Sequence, residues 1–360
     1  MKKIIIVTFL LLVLSACSLD NGLPVLKEVV RDNIQFTGVA VSKEGRLFLS
    51  YPLWIDEINN SVVEVLKDQK KAFYPNIRLN TPVGSPMDRF VCVQSIYVDN
   101  NNYLWILDPA SPHIEGVVEE GAKLFKVDLK ENMVIGKYIF TEPIISKISY
   151  LNDIRVDVEN NIAYISDSGN GGIVVLDLTS GEQRKVLADH YSTKAEPDCV
   201  PKINGVDFRD INDKVPQIHV DGIALDIKNK YLYYHALTGK KLYRISTKVL
   251  NDKSLTEEEL EKSVEQVAET GAADGLIADT NGNIFITAIE ENAIKYITPQ
   301  GELKTLVQDE KIVWPDSLAI ADEYLYFTAS QINLMPWFNK NIDSRKSPYK
   351  IFKISIKNLQ

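Results

Sequence analysis

Short apolar strands separated by polar turns recur six times along the chain, with the same order of positions in each copy. Every copy begins with a polar residue, continues as an apolar run of strand length, breaks at a turn rich in Asn, Asp and Gly, and ends in a second apolar or aromatic run. The copies occupy residues 37–50, 95–108, 153–166, 221–234, 274–287 and 316–328. A strand-only repeat with a period of roughly 40–70 residues predicts a propeller, in which each copy contributes to one blade.

The turns and the segments after the copies complete the predicted blades. Asn281-Gly282 is the sharpest hairpin signal, because both residues tolerate the positive φ of a type I′ turn. Further apolar segments that follow the copies supply outer strands, and the last of them lies near the C-terminus, at 349–355. We therefore predict an all-β, six-bladed β-propeller with four-stranded blades, closed where this last segment meets N-terminal strands. Thr256 and Glu259 also predict a short helix with a capping box.

The N-terminal residues differ from the rest of the chain. Lys2 and Lys3 precede an apolar run at 4–14, which is typical of a secretory signal and too short for a membrane-spanning helix. The run ends in Leu-Ser-Ala-Cys17, which resembles the lipobox of bacterial lipoprotein signals. This resemblance implies cleavage before Cys17 and acylation of its sulfur, a palmitate-type anchor. The alternative is an ordinary signal peptide that happens to be followed by a cysteine.

The N-terminal signal leads to a division of the chain and a location. We predict a lipid anchor on the extracytoplasmic side of a membrane in the bacterial cell envelope. The predicted segments are a signal peptide at 1–16, a tether at 17–32 and the propeller at 33–360.

Charge and cysteine content limit the partners. The net charge is −9, and loss of Lys2 and Lys3 with the signal makes it −9 − 2 = −11. This balance argues against nucleic acid and against anionic lipid surfaces beyond the anchor, and it favours cationic ligands only mildly. Cys92 and Cys199 remain after the anchor cysteine, and an exported chain permits a disulfide between them. Two small buried thiols are the alternative, and a zinc site is excluded because no His lies at ligand spacing.

The first residues of the copies are the leading site candidates, because radial symmetry brings them to the central axis. In the third to sixth copies these are Asn152, Asp153, Asp221, Asp274 and Asp316. Carboxylates crowded at an axis need a cation, a proton or solvent, and Ca²⁺ or another divalent cation suits such oxygen ligands. The alternative is that these side chains accept backbone N–H groups of the neighbouring blade. One or two of the four tryptophans are further candidates for the tunnel mouth.

Three blocks of the chain are distinctive, namely Leu-Trp-Ile-Leu-Asp at 104–108, the block from Tyr150 to Asp157, and Trp314-Pro-Asp-Ser-Leu at 314–318. They resemble the signature blocks of the major royal jelly protein/yellow family, and the likeness runs from about residue 35 to the C-terminus. The resemblance implies a six-bladed propeller with an extracellular role. Some salivary members bind biogenic amines in the tunnel, which implies a small aromatic or cationic ligand here. Bacterial members are labelled dopachrome-tautomerase-related, which implies an isomerase as an alternative.

A second and more distant likeness is to regucalcin/gluconolactonase propellers. Their divalent metal is held by a Glu of the first blade and by Asn and Asp of later blades, to which Asn152, Asp221 and Asp274 correspond. Thr37 stands where the Glu is expected, and Asp221 where an Asn is usual. This departure weakens the prediction of a metal-dependent lactonase-like hydrolase, because a metal-activated water needs a fixed ligand set.

Taken together, the sequence predicts a tethered extracytoplasmic propeller that binds a small molecule in its central tunnel. The alternatives are an isomerase or lactonase-like hydrolase that uses an axial Asp as general acid or base, and a protein-interaction scaffold.

Overall fold

Six antiparallel sheets of four strands each follow the order of the sequence repeats. The computed structural model describes residues 25–55, 58, 60–357 and 359. Within these residues, the innermost strand of each blade packs against the inner strands of the blades before and after it. The prediction of an all-β, six-bladed propeller with four-stranded blades is confirmed.

The strands are numbered in chain order, and each blade runs from its inner to its outer strand. The chain begins with β1 (Lys27–Asp32). Blade 1 contains β2 (Gly38–Val41), β3 (Leu47–Ser50), β4 (Val62–Val65) and β5 (Lys71–Phe73). Blade 2 contains β6 (Ser95–Val98), β7 (Tyr103–Asp108), β8 (Lys123–Asp128) and β9 (Met133–Ile139). Blade 3 contains β10 (Leu151–Asp157), β11 (Ile162–Asp167), β12 (Ile173–Asp177) and β13 (Gln183–Val186).

The second half of the chain repeats this plan after a long insertion, which carries the hairpin β14 (Lys202–Ile203) and β15 (Val206–Asp207). Blade 4 contains β16 (Val220–Leu225), β17 (Tyr231–Ala236), β18 (Lys241–Ser246) and β19 (Glu265–Glu269). Blade 5 contains β20 (Ala273–Ala278), β21 (Ile284–Ala288), β22 (Ala293–Ile297) and β23 (Leu303–Gln308). Blade 6 contains β24 (Pro315–Ala321), β25 (Tyr324–Ala329) and β26 (Tyr349–Ser355), with β1 as its outer strand.

The helices are short and lie in connections between strands. They are α1 (Ile77–Asn80), α2 (Thr247–Asn251) and α3 (Glu257–Glu261), with 3-10 turns at Pro86–Asp88, Pro112–Ile114, Tyr191–Thr193, Ile332–Leu334 and Pro336–Phe338. The capping box predicted for α3 is confirmed, because Thr256 and Glu259 each accept the other's backbone N–H. In the described part of the chain, no helix has the length and apolar composition needed to cross a bilayer.

The N-terminal strand closes the ring. β1 pairs antiparallel with β26, from Lys27 opposite Lys353 to Asp32 opposite Tyr349. The predicted closure is confirmed, but the predicted start of the propeller at residue 33 is wrong. The chain after residue 314 supplies only three strands to blade 6, so the blade needs β1 as its fourth. The predicted signal peptide, Cys17 and the tether as far as residue 24 lie outside the described residues.

The hydrophobic core lies between successive blades rather than at the axis. Trp105 and Leu124 of blade 2, for example, belong to one buried cluster with Ile154 and Ile165 of blade 3. This arrangement follows from the alternating pattern, because each sheet has two buried faces and presents one to each neighbour. Where the inner strands begin, the axis is lined by their polar first residues.

A completely buried ion pair holds the upper end of blade 2. Lys123 Nζ lies 2.8 Å from Asp108 Oδ2, and both side chains have no exposed area. The Asp108 carboxylate also accepts the backbone N–H groups of residues 91, 92 and 110, so all of its oxygen lone pairs face donors. Blade 3 contains the same kind of ion pair, in which Lys185 Nζ lies 2.7 Å from Asp167 Oδ2.

The Asp residues that precede the hairpin turns accept backbone N–H groups of those turns, at Asp99, Asp157, Asp226 and Asp279. Cys92 and Cys199 are both buried and both free. The disulfide that the sequence permitted is therefore not formed, and the alternative of two buried thiols applies.

Candidate functional site

The inner strands of blades 3 to 6 are interrupted at the same point, close to their first residues. The pairing of inner and second strands shifts register between 151 and 154, 220 and 223, 273 and 276, and 315 and 318. The inner strands of blades 1 and 2 pair without such a shift. Because a bulge redirects side chains, these four bulges explain why polar residues can point to the axis from otherwise apolar strands.

Glycines allow neighbouring bulges to approach one another. A Cβ on Gly222 would lie 2.1 Å from the backbone oxygen of Asp274, and one on Gly275 would lie 2.2 Å from that of Asp316. Either contact is impossible for a real side chain, so the Asp-Gly pairs of blades 4 and 5 are required by packing. Thr287, at the end of the second strand of blade 5, accepts the N–H groups of Asp274 and Gly275.

Hydroxyl groups at the same position of other second strands join the blades to each other. They donate to a backbone oxygen at the start of the next blade. These bonds are Ser50 Oγ to Gln94 O at 2.8 Å, Ser166 Oγ to Asp221 O at 2.5 Å and Thr328 Oγ1 to Thr37 O at 2.9 Å. The polar residue that ends these copies therefore serves the architecture around the axis.

All five predicted axial residues line one small cavity on the propeller axis. Asn152, Asp153, Asp221, Asp274 and Asp316 surround about 20 Å³, together with polar residues of blades 1 and 2. This volume is about that of one water-sized sphere. The repeat therefore predicted the positions of these side chains correctly, although their environments differ.

Asp153 is held in an ion pair and faces the next blade. Its Oδ1 lies 2.8 Å from Arg155 Nη1 and accepts the Ser95 hydroxyl, and its Oδ2 accepts the backbone N–H of Ile223 in blade 4. The alternative of a bond to the neighbouring blade thus describes Asp153. Arg155 is 5% exposed and also donates to the backbone oxygen of Leu276, so it crosses the tunnel just below the axial cavity.

Asp221, Asp274 and Asp316, here termed the axial acid cluster, are almost without solvent contact. Their exposed fractions are 3%, 6% and 6%. Each accepts one hydrogen bond from a neutral side chain. The donors are Asn152 Nδ2 to Asp221 at 2.9 Å, Trp314 Nε1 to Asp274 at 2.7 Å and Ser330 Oγ to Asp316 at 3.2 Å. Among the described residues no cation pairs with these three carboxyl groups.

Burial keeps protons on the axial acid cluster. It raises the pKa of Asp274 to about 7, while the hydrogen bonds from Trp314 and from Asp221 act in the opposite direction. Burial and then repulsion from the neighbouring acids raise the pKa of Asp221 well above its usual range, and the same causes act on the pKa of Asp316. Asp221 therefore keeps its proton and donates it in a hydrogen bond to Asp274.

A cavity of about 220 Å³, here termed the upper chamber, opens above the axial acid cluster. Its walls are mostly apolar and aromatic, and its floor is formed by Asp221, Asp274 and Asp316 with Asn152. Wall residues come from loops of several blades, namely Trp54, Tyr150, Trp314, Met335, Trp337 and Phe338. Phe208 of the long insertion packs behind this wall, with its ring 5.0 Å from that of Trp314 and 4.7 Å from that of Phe338.

A chain of hydrogen bonds fixes one side of the upper chamber. Trp54 Nε1 donates to the Tyr150 hydroxyl at 2.8 Å, and this hydroxyl donates to Gln94 Oε1 at 2.9 Å. Three of the four tryptophans line the chamber, which is more than the one or two predicted. The fourth, Trp105, belongs to the blade core, where its Nε1 donates to Asp99. Sequence analysis missed Tyr150, Met335 and Phe338, since nothing local places their loops over the axis.

The residues at the axis differ from the ligand set expected for a divalent cation. The position expected for Glu is Thr37, whose hydroxyl is buried and has no hydrogen-bond partner within the described residues. Over the same residues, no group of three or more His, Cys, Asp or Glu is arranged to hold a metal ion. The carboxyl groups are close enough to share a proton instead. Ca²⁺ at the axis stays a prediction.

Residues 91–360, three quarters of the chain, match the family model described as Major royal jelly protein. The chain belongs to the major royal jelly protein family. It is also similar to the Protein yellow of Drosophila erecta and of Drosophila yakuba, at 22% identity over 267 and 286 residues, or 69% and 73% of this chain. These alignments cover 48% and 51% of the two fly proteins, so the chain spans about half the length of these relatives.

Solved structures support the fold of this royal jelly family member. A gluconolactonase from Xanthomonas campestris superimposes with a TM-score of 0.57 at 10% identity, covering 92% of this chain and 89% of that one. The virginiamycin B lyase of Staphylococcus aureus gives 0.53 at 16% identity, covering 92% and 99%. A regucalcin from Agrobacterium tumefaciens gives 0.55 at 13%, covering 91% and 93%. At these identities the likeness shows the propeller fold alone.

Proposed function

We propose that this protein binds a small molecule with an aromatic body and a cationic head in the upper chamber. The observation that carries the proposal is an aromatic-walled cavity whose floor consists of three buried carboxyl groups without a cationic partner among the described residues. Few polar groups converging in an apolar cleft are typical of ligand sites. The resemblance to the major royal jelly protein/yellow family, some members of which bind amines in the tunnel, supports the same interpretation.

The charge of the floor selects the head group. With a neutral head group, Asp274 would stay protonated, and an anionic head group would be repelled by its carboxylate. An ammonium group instead compensates the carboxylate and donates hydrogen bonds to it. The tryptophan faces above supply stacking and cation–π contacts. An aryl-alkyl amine therefore fits the chamber better than a sugar or a carboxylic acid does.

Fluorescence titration tests the proposal directly, because three of the four tryptophans line the upper chamber. 2-Phenylethylamine is titrated against 2-phenylethanol, which has the same skeleton and no charge. We expect the amine to bind roughly tenfold more tightly, since a hydrogen bond to a charged group contributes about 1–2 kcal/mol more than a neutral one. Equal affinities, or no saturable binding of either probe, would show that the acid cluster does not select a cation.

Two variants separate the effect of the floor carboxyl groups on binding from the effect of the protein's overall negative charge. Asp274→Asn keeps the shape of the floor and removes the carboxyl group that ionises near neutral pH, so it should weaken the amine and leave the alcohol unchanged. Asp198→Asn, on the exposed part of the insertion, removes the same charge at a distance and should leave both probes unchanged. Affinity for the amine should also rise as the pH increases towards 7, since a carboxylate with a pKa of about 7 must ionise to hold the cation.

The shared proton of Asp221 and Asp274 favours a second candidate, proton transfer within the bound molecule. A protonated carboxyl beside an ionisable one can give a proton at one position and accept one at another. Asp221→Asn and Asp274→Asn should then abolish a measurable isomerisation or lactone hydrolysis while the fold survives. Unchanged turnover in both variants would exclude this role and leave binding alone.

We also propose that the domain is tethered through Cys17. β1 runs antiparallel to β26 and therefore begins on the face opposite the upper chamber, so a tether before Lys27 would direct the chamber away from the membrane. Mass spectrometry of the N-terminal peptide from cell envelopes tests the acylation, and Cys17→Ala should move the protein to the soluble fraction. An unmodified N-terminal peptide that still includes Cys17 would exclude the anchor.

A further inference from the structure

A second cavity of about 300 Å³, here termed the lower chamber, lies on the axis on the other side of Arg155. Its walls are apolar residues of the inner strands, among them Val39, Val98, Ile277 and Ile320. Arg155 borders both this chamber and the small axial cavity. The tunnel is thus divided into two compartments that open on opposite faces of the propeller.

The inner end of the lower chamber carries hydrogen-bond donors without a protein acceptor. Arg155 Nε is buried and has no partner in the described part of the chain, although the other nitrogens of this guanidinium are occupied. The guanidinium lies over the ring of Tyr97 with its carbon 5.0 Å from the ring centre. The half-buried Tyr97 also lines the chamber, and its hydroxyl has no protein acceptor among the described residues. A buried donor such as Arg155 Nε is costly without a partner, so an oxygen acceptor brought to the inner end of the chamber would be favoured there.

The lining of the lower chamber does not suit an ion. Asp226, Asp279 and Asp322 stand at its outer rim and repel an anion. Asp153 already neutralises Arg155 at 2.8 Å, so an anion would gain little at the inner end. The apolar inner strands between the rim and Arg155 do not compensate a cation. What remains is an apolar body with an oxygen acceptor.

We propose that the lower chamber is a second binding site, which takes a small uncharged molecule with an apolar ring and one carbonyl or ether oxygen. The ring lies between the apolar inner strands, and the oxygen faces Arg155 and Tyr97. This site is independent of the one proposed for the upper chamber, because Arg155 separates the two cavities.

Ligand-observed NMR with three single-ring probes tests the chemistry. Acetophenone carries the acceptor, ethylbenzene has the same size without it, and benzoate adds a negative charge. We expect acetophenone to bind about fivefold more tightly than ethylbenzene, the factor that one net hydrogen bond supplies, and benzoate to bind more weakly than acetophenone. Tyr97→Phe should reduce the preference for acetophenone over ethylbenzene. Equal binding of acetophenone and ethylbenzene, or tighter binding of benzoate, would overturn the proposal.

Filling each chamber separately tests the location. Val98→Trp and Ile320→Trp place a large side chain in the lower chamber from half-buried wall positions, and Ile218→Trp does the same in the upper chamber. Both lower-chamber variants should abolish acetophenone binding, and the upper-chamber variant should leave it unchanged. Retained thermal unfolding transitions show that a variant is folded, and two independent fillers guard against failure of one. Loss of binding only in Ile218→Trp, or no binding to the wild type, would overturn the assignment.

Discussion

Replacing Asp274 by Asn should make the free energy of unfolding less sensitive to rising pH. The folded protein holds a proton on Asp274 up to a pKa of about 7, whereas an unfolded chain releases it near 3.9. A raised carboxyl pKa means that the folded state binds more protons than the unfolded state between these values. Stability from this group is therefore complete below about pH 4 and falls as the pH rises to about 7. Asn cannot ionise, and its amide oxygen can still accept the proton that Asp221 donates.

The size of the effect follows from the width of this pH window. Each pH unit between the two pKa values costs about 1.4 kcal/mol, so the wild type loses about 4 kcal/mol in total and about 3 kcal/mol of it between pH 5 and pH 8. Asp274→Asn lacks this loss. Urea unfolding at pH 5, 6, 7 and 8, with EDTA present, should therefore show the variant gaining about 3 kcal/mol relative to the wild type over that range.

The exposed Asp198→Asn is the matched control, since it removes a carboxylate from the surface without touching the axis. A difference between Asp274→Asn and the wild type that stays constant from pH 5 to pH 8 would refute the reasoning. It would mean that the carboxyl is ionised throughout, although it is buried and has no cationic partner among the described residues.

Two other substitutions test groups away from this carboxyl. Lys123→Met should destabilise the protein by about 3–5 kcal/mol in urea unfolding, because it leaves Asp108 buried without its cation; a loss below 1 kcal/mol would show that the backbone donors suffice. Thr37→Val should change the free energy of unfolding by less than about 1 kcal/mol, and in the favourable direction, since the Thr37 hydroxyl has no partner within the described residues. A clear destabilisation would reveal a water or an ion held in the axial cavity.

The repeat carried most of what could be predicted about the architecture. Strand pattern, turn residues and the capping box at Thr256 are local signals, and the structure confirmed them. The start of the propeller was placed too late because β1 is an outer strand with partly exposed faces, so its short sequence Lys-Glu-Val-Val-Arg-Asp resembles a polar tether. Only the pairing with β26, more than 300 residues away, reveals its role.

The sequence predicted which side chains reach the axis, but it did not predict Arg155 or most of the residues that form the chamber walls. Radial symmetry sufficed to bring Asn152 and the four Asp residues to the axis. The Asp-Gly pairs of blades 4 and 5 were not singled out, because the close packing that their glycines allow depends on the bulge of the neighbouring blade. Arg155 was overlooked because it lies inside an apolar strand, two residues after Asp153, and its partnership with that carboxylate needs the strand alternation of β10. The chamber walls depend on loops whose positions no local pattern determines.

The closure of blade 6 by β1 has a consequence for how the protein is made. The outer strand of the last blade is synthesised before blades 1 to 5, while its partner β26 is synthesised after them. Blades 1 to 5 can pair internally as they emerge, but the ring stays open, with β1 unpaired, until β26 has been made. Non-local pairing of this kind slows folding and exposes strand edges meanwhile. The pairing of β26 with β1 therefore completes the ring. Any truncation that removes β26 should leave β1 unpaired and β25 without its outer neighbour.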